Sequence, residues 1–424
     1  MNGGYRVYGY RWVVLAVFMF LQLMLQMLAI SYTPITSKAV GYYGVGKELY
    51  VGLFFMVFML AFIPLSLPVS WLIDLRGFRF MANIAAVLIA VFGIARGLVG
   101  DDYTAALLCT MGIAVAQPVM MNSWTKVPAR WFAPTQRATG VGLITLASVS
   151  GVALGMLLTP LLAGSMSIAR VQLLYGCVAA VAAVLFLALA REHPPTPPGP
   201  PQVREHASPL AGLRHAFSIR TFWAAIVISF IGYSAFHGVV TWVELIIKPR
   251  GFSATQAGIT GSVMLFAGIA GTFVWSALSD RYRKRVQFMV IALAGGVPGV
   301  LGIAFVKSAG LLYLFAAILG FFVVVVLPLV LQYAAEMTRP TPEGTTAGVI
   351  QLAGQLSVVV VYLMDALKTS DGSFWISLLL VASLLAACAV MTSRLKDPVI
   401  VSGPGPEAEA AAADVTEAAA ADMA

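Results

Sequence analysis

The chain has 424 residues, of which 60% are hydrophobic and only 10% are charged, and its mean hydropathy is +0.90. Soluble globular domains carry about 25% charged residues, so this composition excludes that class and predicts an all-α protein that crosses a membrane many times. The formal net charge of +8 does not indicate nucleic acid binding, because in a membrane protein the basic residues report orientation.

Twelve stretches are long and apolar enough to cross a bilayer as helices, which takes about 20 residues each. They are predicted at 12–34, 48–72, 80–99, 104–124, 138–162, 169–190, 221–246, 256–278, 288–306, 311–334, 345–366 and 374–393. Pro118 in the fourth span and Pro328 in the tenth predict kinks, which bilayer helices tolerate.

The order of the spans divides the chain into four regions. We expect an N-terminal bundle of six helices at 1–190, a proline-rich linker at 191–220, a second bundle at 221–394 and an acidic, low-complexity tail at 395–424. With the amino terminus inside, the inner segments hold 18 of the 26 basic residues. The positive-inside rule therefore predicts that both termini are cytoplasmic, in a plasma or cytoplasmic membrane.

A charged motif interrupts the apolar pattern twice, each time after an even-numbered span. "PVSWLIDLRGFRF" at 68–80 contains Asp74, Arg76, Gly77 and Arg79, and "FVWSALSDRYRKR" at 273–285 contains Asp280, Arg281, Arg283 and Arg285. The two acids are 206 residues apart, and the same offset relates "PTQRATGVG" at 134–142 to "PTPEGTTAG" at 340–348. Two signatures in one register predict an internal repeat, typical of transporters with a site between the repeats.

This arrangement, with a DxxGxR-type loop in each half, resembles the major facilitator superfamily. The resemblance implies a fold of twelve helices in two six-helix pseudo-repeats, with loops that form a cytoplasmic gate. A helix amino terminus attracts a carboxylate, so we expect Asp74 to contact the start of span 11 near Gly344–Thr345, and Asp280 the start of span 5 near Thr135–Arg137. The arginines also fit a simpler interpretation as topology signals.

Three segments carry a narrower resemblance to one family: "FMLAFIPLSLPVSWLIDLRGFR", "AQPVMMNSWTKVPARWFAPTQRATG" and "GFFVVVVLPLVLQYAAEMTRPTPEGTTAGVIQLAGQ". They are similar to the feline leukaemia virus subgroup C receptor family, which implies uptake of choline or ethanolamine, or haem export. The family's choline-site glutamine falls on Gln355, but its tyrosine, tryptophan and second glutamine fall on His237, Ala29 and Val149. The resemblance therefore implies the architecture and Gln355, and leaves the substrate open.

Polar residues in mid-membrane are expensive and mark a candidate pathway, and here they form stripes on several spans. Each stripe is equally compatible with interhelical hydrogen bonds. His237 is the one histidine within a predicted span, and an unperturbed imidazole titrates near neutral pH, which would suit a proton carrier. Glu244 is expected in an outer vestibule. The predicted substrate-binding residues of the central cavity are Gln26, Tyr32, Gln117, Tyr233, His237, Thr241, Gln351 and Gln355.

These features predict a monomeric secondary or facilitative transporter of a small polar organic solute, with cationic amine metabolites among the candidates, working by alternating access within the lipid bilayer. A proton-coupled organic-anion symporter and a drug or haem exporter are alternatives, and a receptor that transports nothing belongs to a different class. The chain contains no HExxH pair, nucleophile–histidine set or GxxxxGK[ST] loop. We therefore expect no enzyme activity, cofactor, metal or nucleic acid partner.

Overall fold

The computed structural model describes residues 7–133, 136–196, 198, 209–338 and 343–397, without the side chains of 138, 209–211 and 343–345. The first half contains α1 Arg11–Ile30, α2 Thr36–Tyr43, α3 Glu48–Arg76, α4 Phe78–Leu98, α5 Tyr103–Ala114, α6 Ala116–Asn122, α7 Lys126–Trp131, α8 Arg137–Ser165 and α9 Ile168–Leu189. The second half contains α10 Pro209–Ser218, α11 Arg220–Ile247, α12 Ala254–Tyr282, α13 Arg285–Phe305, α14 Ala309–Val323, α15 Val326–Met337, α16 Glu343–Gln355, α17 Val358–Ala366 and α18 Trp375–Ser393.

Within the described part of the chain, twelve helical stretches are long and apolar enough to cross a membrane, as predicted. Four of them are pairs of shorter helices: α1 with α2, α5 with α6, α14 with α15, and α16 with α17. The short helices α7 and α10 lie outside these spans. The predicted acidic tail falls almost entirely outside the described residues, as does much of the proline-rich linker.

Proline explains three of the four breaks. A helical proline clashes with the carbonyl four residues before it. Pro118 lies four residues after Ala114, the last residue of α5, and Pro328 lies four residues after Val324, the residue that follows α14. The two predicted kinks are confirmed. The first span was expected to end at Pro34, but this proline breaks the helix after Ile30 and the span continues to Tyr43.

Two hydrophobic cores correspond to the two halves. One is built from residues of α1 to α9 and the other mainly from residues of α11 to α18, and we call these the first and second bundles. Five residues of the first bundle belong to the core of the second, namely Ile30, Met56, Met59, Ala153 and Met156. The bundles therefore share an apolar seam along α1, α3 and α8.

Small residues allow the closest helix approaches within a bundle. α4 and α9 cross at Gly93 and Gly176, where a β-carbon added at Gly176 would collide with the Gly93 carbonyl. Because the colliding atoms belong to the backbone, neither helix can relieve the clash by rotating a side chain.

We predict that Gly176→Ala destabilises the protein by about 1–3 kcal/mol, the usual cost of overpacking a core. Gly142→Ala is the matched control, since Gly142 also lies inside a helix and a β-carbon there would meet no atom within 4 Å. The measurement is the thermal unfolding midpoint in detergent. Equal midpoints for the two variants would contradict the crossing geometry.

Candidate functional site

The spans alternate in direction, so the two ends of the bundles can be told apart. We call the end where α1 begins and α18 finishes the terminal face, and the opposite end the distal face. The loops that carry Asp74 and Asp280 lie at the terminal face, and the loops after α2 and α17 lie at the distal face.

A buried carboxylate joins the two bundles near the distal face. Glu244 on α11 accepts hydrogen bonds from the backbone nitrogen and the hydroxyl of Ser37, at 3.1 and 2.9 Å. Ser37 lies in the first turn of α2, where backbone amides and the helix dipole favour a negative charge. The Lys248 amine donates to the same hydroxyl at 2.8 Å. Glu244 is only 6% exposed, so in this conformation its carboxylate is part of an interbundle contact, and its place in an outer vestibule stays a prediction.

A second ionic contact crosses the distal face beside it. The Lys368 amine lies 2.9 Å from the Glu48 carboxylate in the first bundle and 3.5 Å from Asp365 on its own side. Burial lowers the pKa of Lys368, but the hydrogen bond to Glu48 and the negative charge of Asp365 outweigh burial, so the pKa is raised. Lys368 therefore stays charged at neutral pH, and its stabilising contribution disappears only at strongly alkaline pH, as the pH rises through this raised pKa.

An apolar seam between the two bundles lies next to these polar contacts, on the side towards the middle of the spans. The indole of Trp242 packs on Gly52 so closely that a β-carbon there would strike the ring, and Met156 packs on Gly258 and Gly261 in the same way. The Ser262 hydroxyl donates to the Ala153 carbonyl at 2.8 Å, again between bundles. The described hydrogen bonds and ion pairs between the bundles thus lie on the distal side.

The predicted gate acids at the terminal face are paired within their own bundles. Asp74 forms a 2.5 Å ion pair with Lys126, and Asp280 forms a 2.5 Å ion pair with Arg285, which also binds Glu336. The described partner of Asp74 is thus a lysine of its own bundle. Thr135 and the side chain of Thr345, named in the predicted contacts, lie outside what the structure describes, so the contacts of the two acids with spans 11 and 5 stay predictions.

The remaining gate residues have different surroundings. Arg76 is exposed and its guanidinium lies 5.8 Å from the centre of the Phe80 ring, while Arg281 and Arg283 are exposed. The backbone nitrogen of Arg79 donates to Glu192 at 2.7 Å, next to a similar bond from Phe78. Glu192 thereby caps the amino terminus of α4 and also pairs with Arg130.

Glycine is required at position 77 for two reasons. Its φ of 89° lies in the left-handed region, and a β-carbon would come within 2.6 Å of the Glu192 carboxylate. Arg283, 206 residues later, also has a positive φ, of 55°, although the left-handed region costs a non-glycine residue about 1–2 kcal/mol. The two repeat-related positions therefore share a positive φ but differ in ψ, which is 157° at Gly77 and 34° at Arg283.

Three of the predicted cavity residues come together near the middle of the spans. His237 shares a 2.9 Å hydrogen bond with Ser357, and its ring lies 5.0 Å from that of Tyr233. Tyr233 packs on Gly354, next to Gln355. Phe55, from the first bundle, meets His237 edge-on at 5.9 Å. This group therefore lies where the two bundles meet.

Gln355 stands at the break between α16 and α17, which contains no proline. The Ser357 amide donates to the Gly354 carbonyl and the Val359 amide to that of Leu356, so the hydrogen bonds at the break span three residues instead of four. Gln355 is buried and Gln351, one turn earlier, is half-buried. Among the described residues, neither amide has a hydrogen-bond partner, which leaves both available to a ligand.

The other predicted cavity residues have separate positions. Thr241 uses its hydroxyl on the His237 carbonyl of its own helix, at 2.6 Å. Gln26 on α1 and Gln117 on α6 are buried, the Gln117 side-chain oxygen has no described donor, and no described contact joins either residue to His237. Tyr32 lies inside the first bundle, stacked on Phe54 at 4.1 Å and bonded to the Tyr43 hydroxyl, so its ring and its polar atom are both occupied.

A sequence profile of the Major Facilitator Superfamily matches residues 8–362 of the chain. The chain belongs to this superfamily. It is 29% identical to Solute carrier family 49 member A3 of Danio rerio, over 87% of this chain and 81% of that protein. It is 27% identical to the choline/ethanolamine transporter FLVCR1 of Felis catus, over 86% of this chain and 68% of that protein. The predicted resemblance to that receptor family is confirmed.

Solved structures of superfamily proteins share the fold. A bacterial homologue of the human lysosomal transporter Spinster, in an inward-facing and unoccupied conformation, matches with a TM-score of 0.75 at 16% identity, covering 94% of this chain and all of that one. The nucleoside transporter NupG matches with a TM-score of 0.70 at 13% identity, covering 90% and 99%. Membership of the superfamily makes the chain a multi-pass membrane transporter of a small molecule rather than an enzyme, as predicted.

Several residues with a role here were not among the predicted site residues, including Lys126, Ser37, Phe55 and Ser357. Lys126 carried a detectable signal, because it lies 52 residues after Asp74 just as Gln332 lies 52 residues after its own partner Asp280. Ser37, Phe55 and Ser357 carried none, since each is one of many similar residues in an apolar span and acquires its role from tertiary packing.

We predict that reversing one charge of the distal ion pair destabilises the facilitator, and that reversing both restores part of the loss. Glu48→Lys and Lys368→Glu should each lower the thermal midpoint, and the double variant should recover a coupling of up to about 1 kcal/mol, as for partly exposed pairs. Strictly additive losses across this double-mutant cycle would show that the pair contributes nothing to closing the distal face.

Proposed function

We propose that this facilitator carries a small polar organic solute, with amines such as choline or ethanolamine as the first class to test, by alternating access between its two bundles. The observation that supports it is the group of His237, Tyr233 and Gln355, which contains no carboxylate and meets Phe55 of the other bundle beneath a closed distal face. Aromatic faces attract ammonium groups, and an amide oxygen accepts hydrogen bonds from an amine or hydroxyl.

The proposed site consists of Tyr233, His237, Gln351 and Gln355, with Phe55 added. Gln26 and Gln117 are proposed to line the approach from the first bundle, and Thr241 to hold the backbone of α11 beside the site. We leave Tyr32 out, because its ring and hydroxyl already have partners in the first bundle. A neutral site suits a facilitative carrier, since in the described spans the acids lie near the two faces.

We further propose the orientation and organisation of the chain. The terminal face is cytoplasmic, because its segments carry 18 of the 26 basic residues. The conformation is then inward-facing, in a monomer with bundles at 1–190 and 221–394, a linker at 191–220 and a tail at 395–424. Choline and ethanolamine are named for the relatives, and they enter here as substrates to be tested.

The test of this function is uptake of labelled solute into liposomes that contain the purified protein. We predict saturable uptake of an amine, reduced about tenfold by Gln355→Ala, because losing one hydrogen bond to a substrate costs roughly 0.5–1.5 kcal/mol and more when the partner is charged. Gln287→Ala is the matched control, since Gln287 is an exposed glutamine on α13.

Two results would overturn parts of the proposal. Uptake that Gln355→Ala leaves undiminished would remove Gln355 from the site. Uptake of carboxylates in preference to amines, with a dependence on a proton gradient, would favour the proton-coupled organic-anion symporter instead, and preferential efflux of haem or apolar drugs would favour an exporter.

We predict that Lys126→Gln shifts the facilitator towards the state in which the distal face is open. In the proposed cycle Asp74 leaves Lys126 to bind the start of span 11, and a neutral glutamine, as at the repeat-related position 332, competes less for that carboxylate. The pair is half-exposed, with side-chain exposures of 34% and 48%, so we expect a change of about two- to fivefold in the equilibrium, equivalent to less than 1 kcal/mol.

The measurement is the rate at which a maleimide modifies Ser262→Cys, a position buried in the distal seam, in a background where the exposed Cys177 is replaced by alanine. The rate should rise with Lys126→Gln and stay at the parental value with Lys126→Arg, which keeps the charge. An unchanged rate in Lys126→Gln would show that the lysine does not compete for Asp74.

A further inference from the structure

Arg96 is a cation buried inside the first bundle. It lies on α4, two residues before the helix ends at Leu98, and is 1% exposed. One guanidinium nitrogen, Nη2, donates to the Leu28 carbonyl at 3.1 Å, the Ser31 hydroxyl at 3.2 Å and the Gln172 side-chain oxygen at 2.6 Å. Arg96 thus caps the carboxyl end of α1, at the point where proline breaks the first span.

The other polar hydrogens of this cluster lack acceptors. Nε and Nη1 of Arg96 and Nε2 of Gln172 are buried and have no hydrogen-bond partner within the described part of the chain. The Tyr32 and Tyr43 hydroxyls share one 2.7 Å hydrogen bond, so only one of their two protons is used in it, and the Tyr32 ring lies 5.3 Å from the guanidinium. Every unsatisfied group here is a donor.

Charge balance is also incomplete around Arg96. An arginine side chain remains protonated in proteins, and none of the described ion pairs involves it. The carboxyl end of α1 supplies about half a negative charge. A buried charge normally requires a full counter-charge together with hydrogen bonds to its remaining donors.

We propose that a small inorganic monoanion, of the size and charge of chloride, binds at Arg96 between α1, α4 and α9. Arg96 and the Gln172 amide supply the donors, and a tyrosine hydroxyl completes them. A single negative charge is favoured because one cation is present. The transported solute is a poor candidate, because the cluster lies within the first bundle, behind the stacked rings of Tyr32 and Phe54, rather than between the bundles.

The position of the anion gives it a role at the distal face, and this role rests on the proposed function. Arg96 holds the break after α1, and α2 begins just beyond that break with the turn that Glu244 binds. Filling the site fixes the direction in which α2 leaves α1. The bound anion therefore stabilises the conformation in which the distal face is closed.

The first experiment measures binding directly, without transport. The thermal midpoint of the purified protein is recorded in sodium gluconate, with chloride, bromide or formate substituted at constant ionic strength. A saturable rise with chloride and bromide is expected, by several degrees once the concentration is far above Kd. Arg96→Gln should abolish the rise, and Arg250→Gln should keep it, since Arg250 is a distal-face arginine whose guanidinium donates to the Val306 and Ile246 carbonyls.

The second experiment locates the ion in the parent protein, so it does not depend on the folding of a variant. Crystals of the parent protein grown in bromide should show an anomalous peak within hydrogen-bond distance of Arg96 or Gln172. A thermal midpoint that does not depend on the halide, or bromide peaks only at other places, would overturn the proposal. Buried water would then be the partner of the Arg96 and Gln172 donors. A response to formate but not to halides would overturn the choice of an inorganic ion.

Discussion

The conformation depends on a carboxylate of one bundle that binds the first turn of a helix in the other. Glu244 on α11 accepts two hydrogen bonds from Ser37 of α2, in a place almost closed to solvent. The carboxylate interacts with the partial positive charge and the free amide of a helix end. This interaction needs the carboxylate in line with the first turn, so it forms when the bundles meet and is lost when they separate. The ion pair of Glu48 with Lys368 and the seam of Trp242 on Gly52 follow from the same approach of the bundles.

The terminal face has the same chemistry with its contacts rearranged. There the acids that could bind a helix end across the bundles are held inside their own bundles, Asp74 by Lys126 and Asp280 by Arg285. The two acids are related by the repeat, but their partners are not equivalent. Gln332, in the position of Lys126, is neutral and lies 3.5 Å from Asp280, so the second acid depends on its own loop arginine. Releasing the two acids from their own bundles therefore costs unequal amounts at the two motifs.

Local properties of the sequence predicted much of this fold. The twelve spans follow from apolar length, and the breaks at Pro118 and Pro328 follow from a steric clash with a carbonyl at a fixed distance along the chain. The break after Gln355 has no such cause in the sequence. The contact of Glu244 with Ser37 joins residues 207 positions apart, and the burial of Tyr32 depends on how the break after α1 packs against Phe54 of α3. A polar stripe identifies a helix face but not its neighbour, so these features required the structure.

The break in the eleventh span links the candidate site to the distal face. On one side of it, α17 is tied to α11 twice, through Ser357 to His237 and through the Val361 carbonyl to the Trp242 indole at 2.9 Å. On the other side, Gln351 and Gln355 belong to α16, which runs to the terminal face. A solute held between His237 and Gln355 would therefore bridge the two parts of the span. The part that begins with α17 is fixed to α11 at the closed distal face, and α16 joins it through a break where hydrogen bonds span three residues instead of four. Because Trp242 also packs on Gly52 of the first bundle, occupancy of the site and closure of the distal face act on the same short stretch of α11.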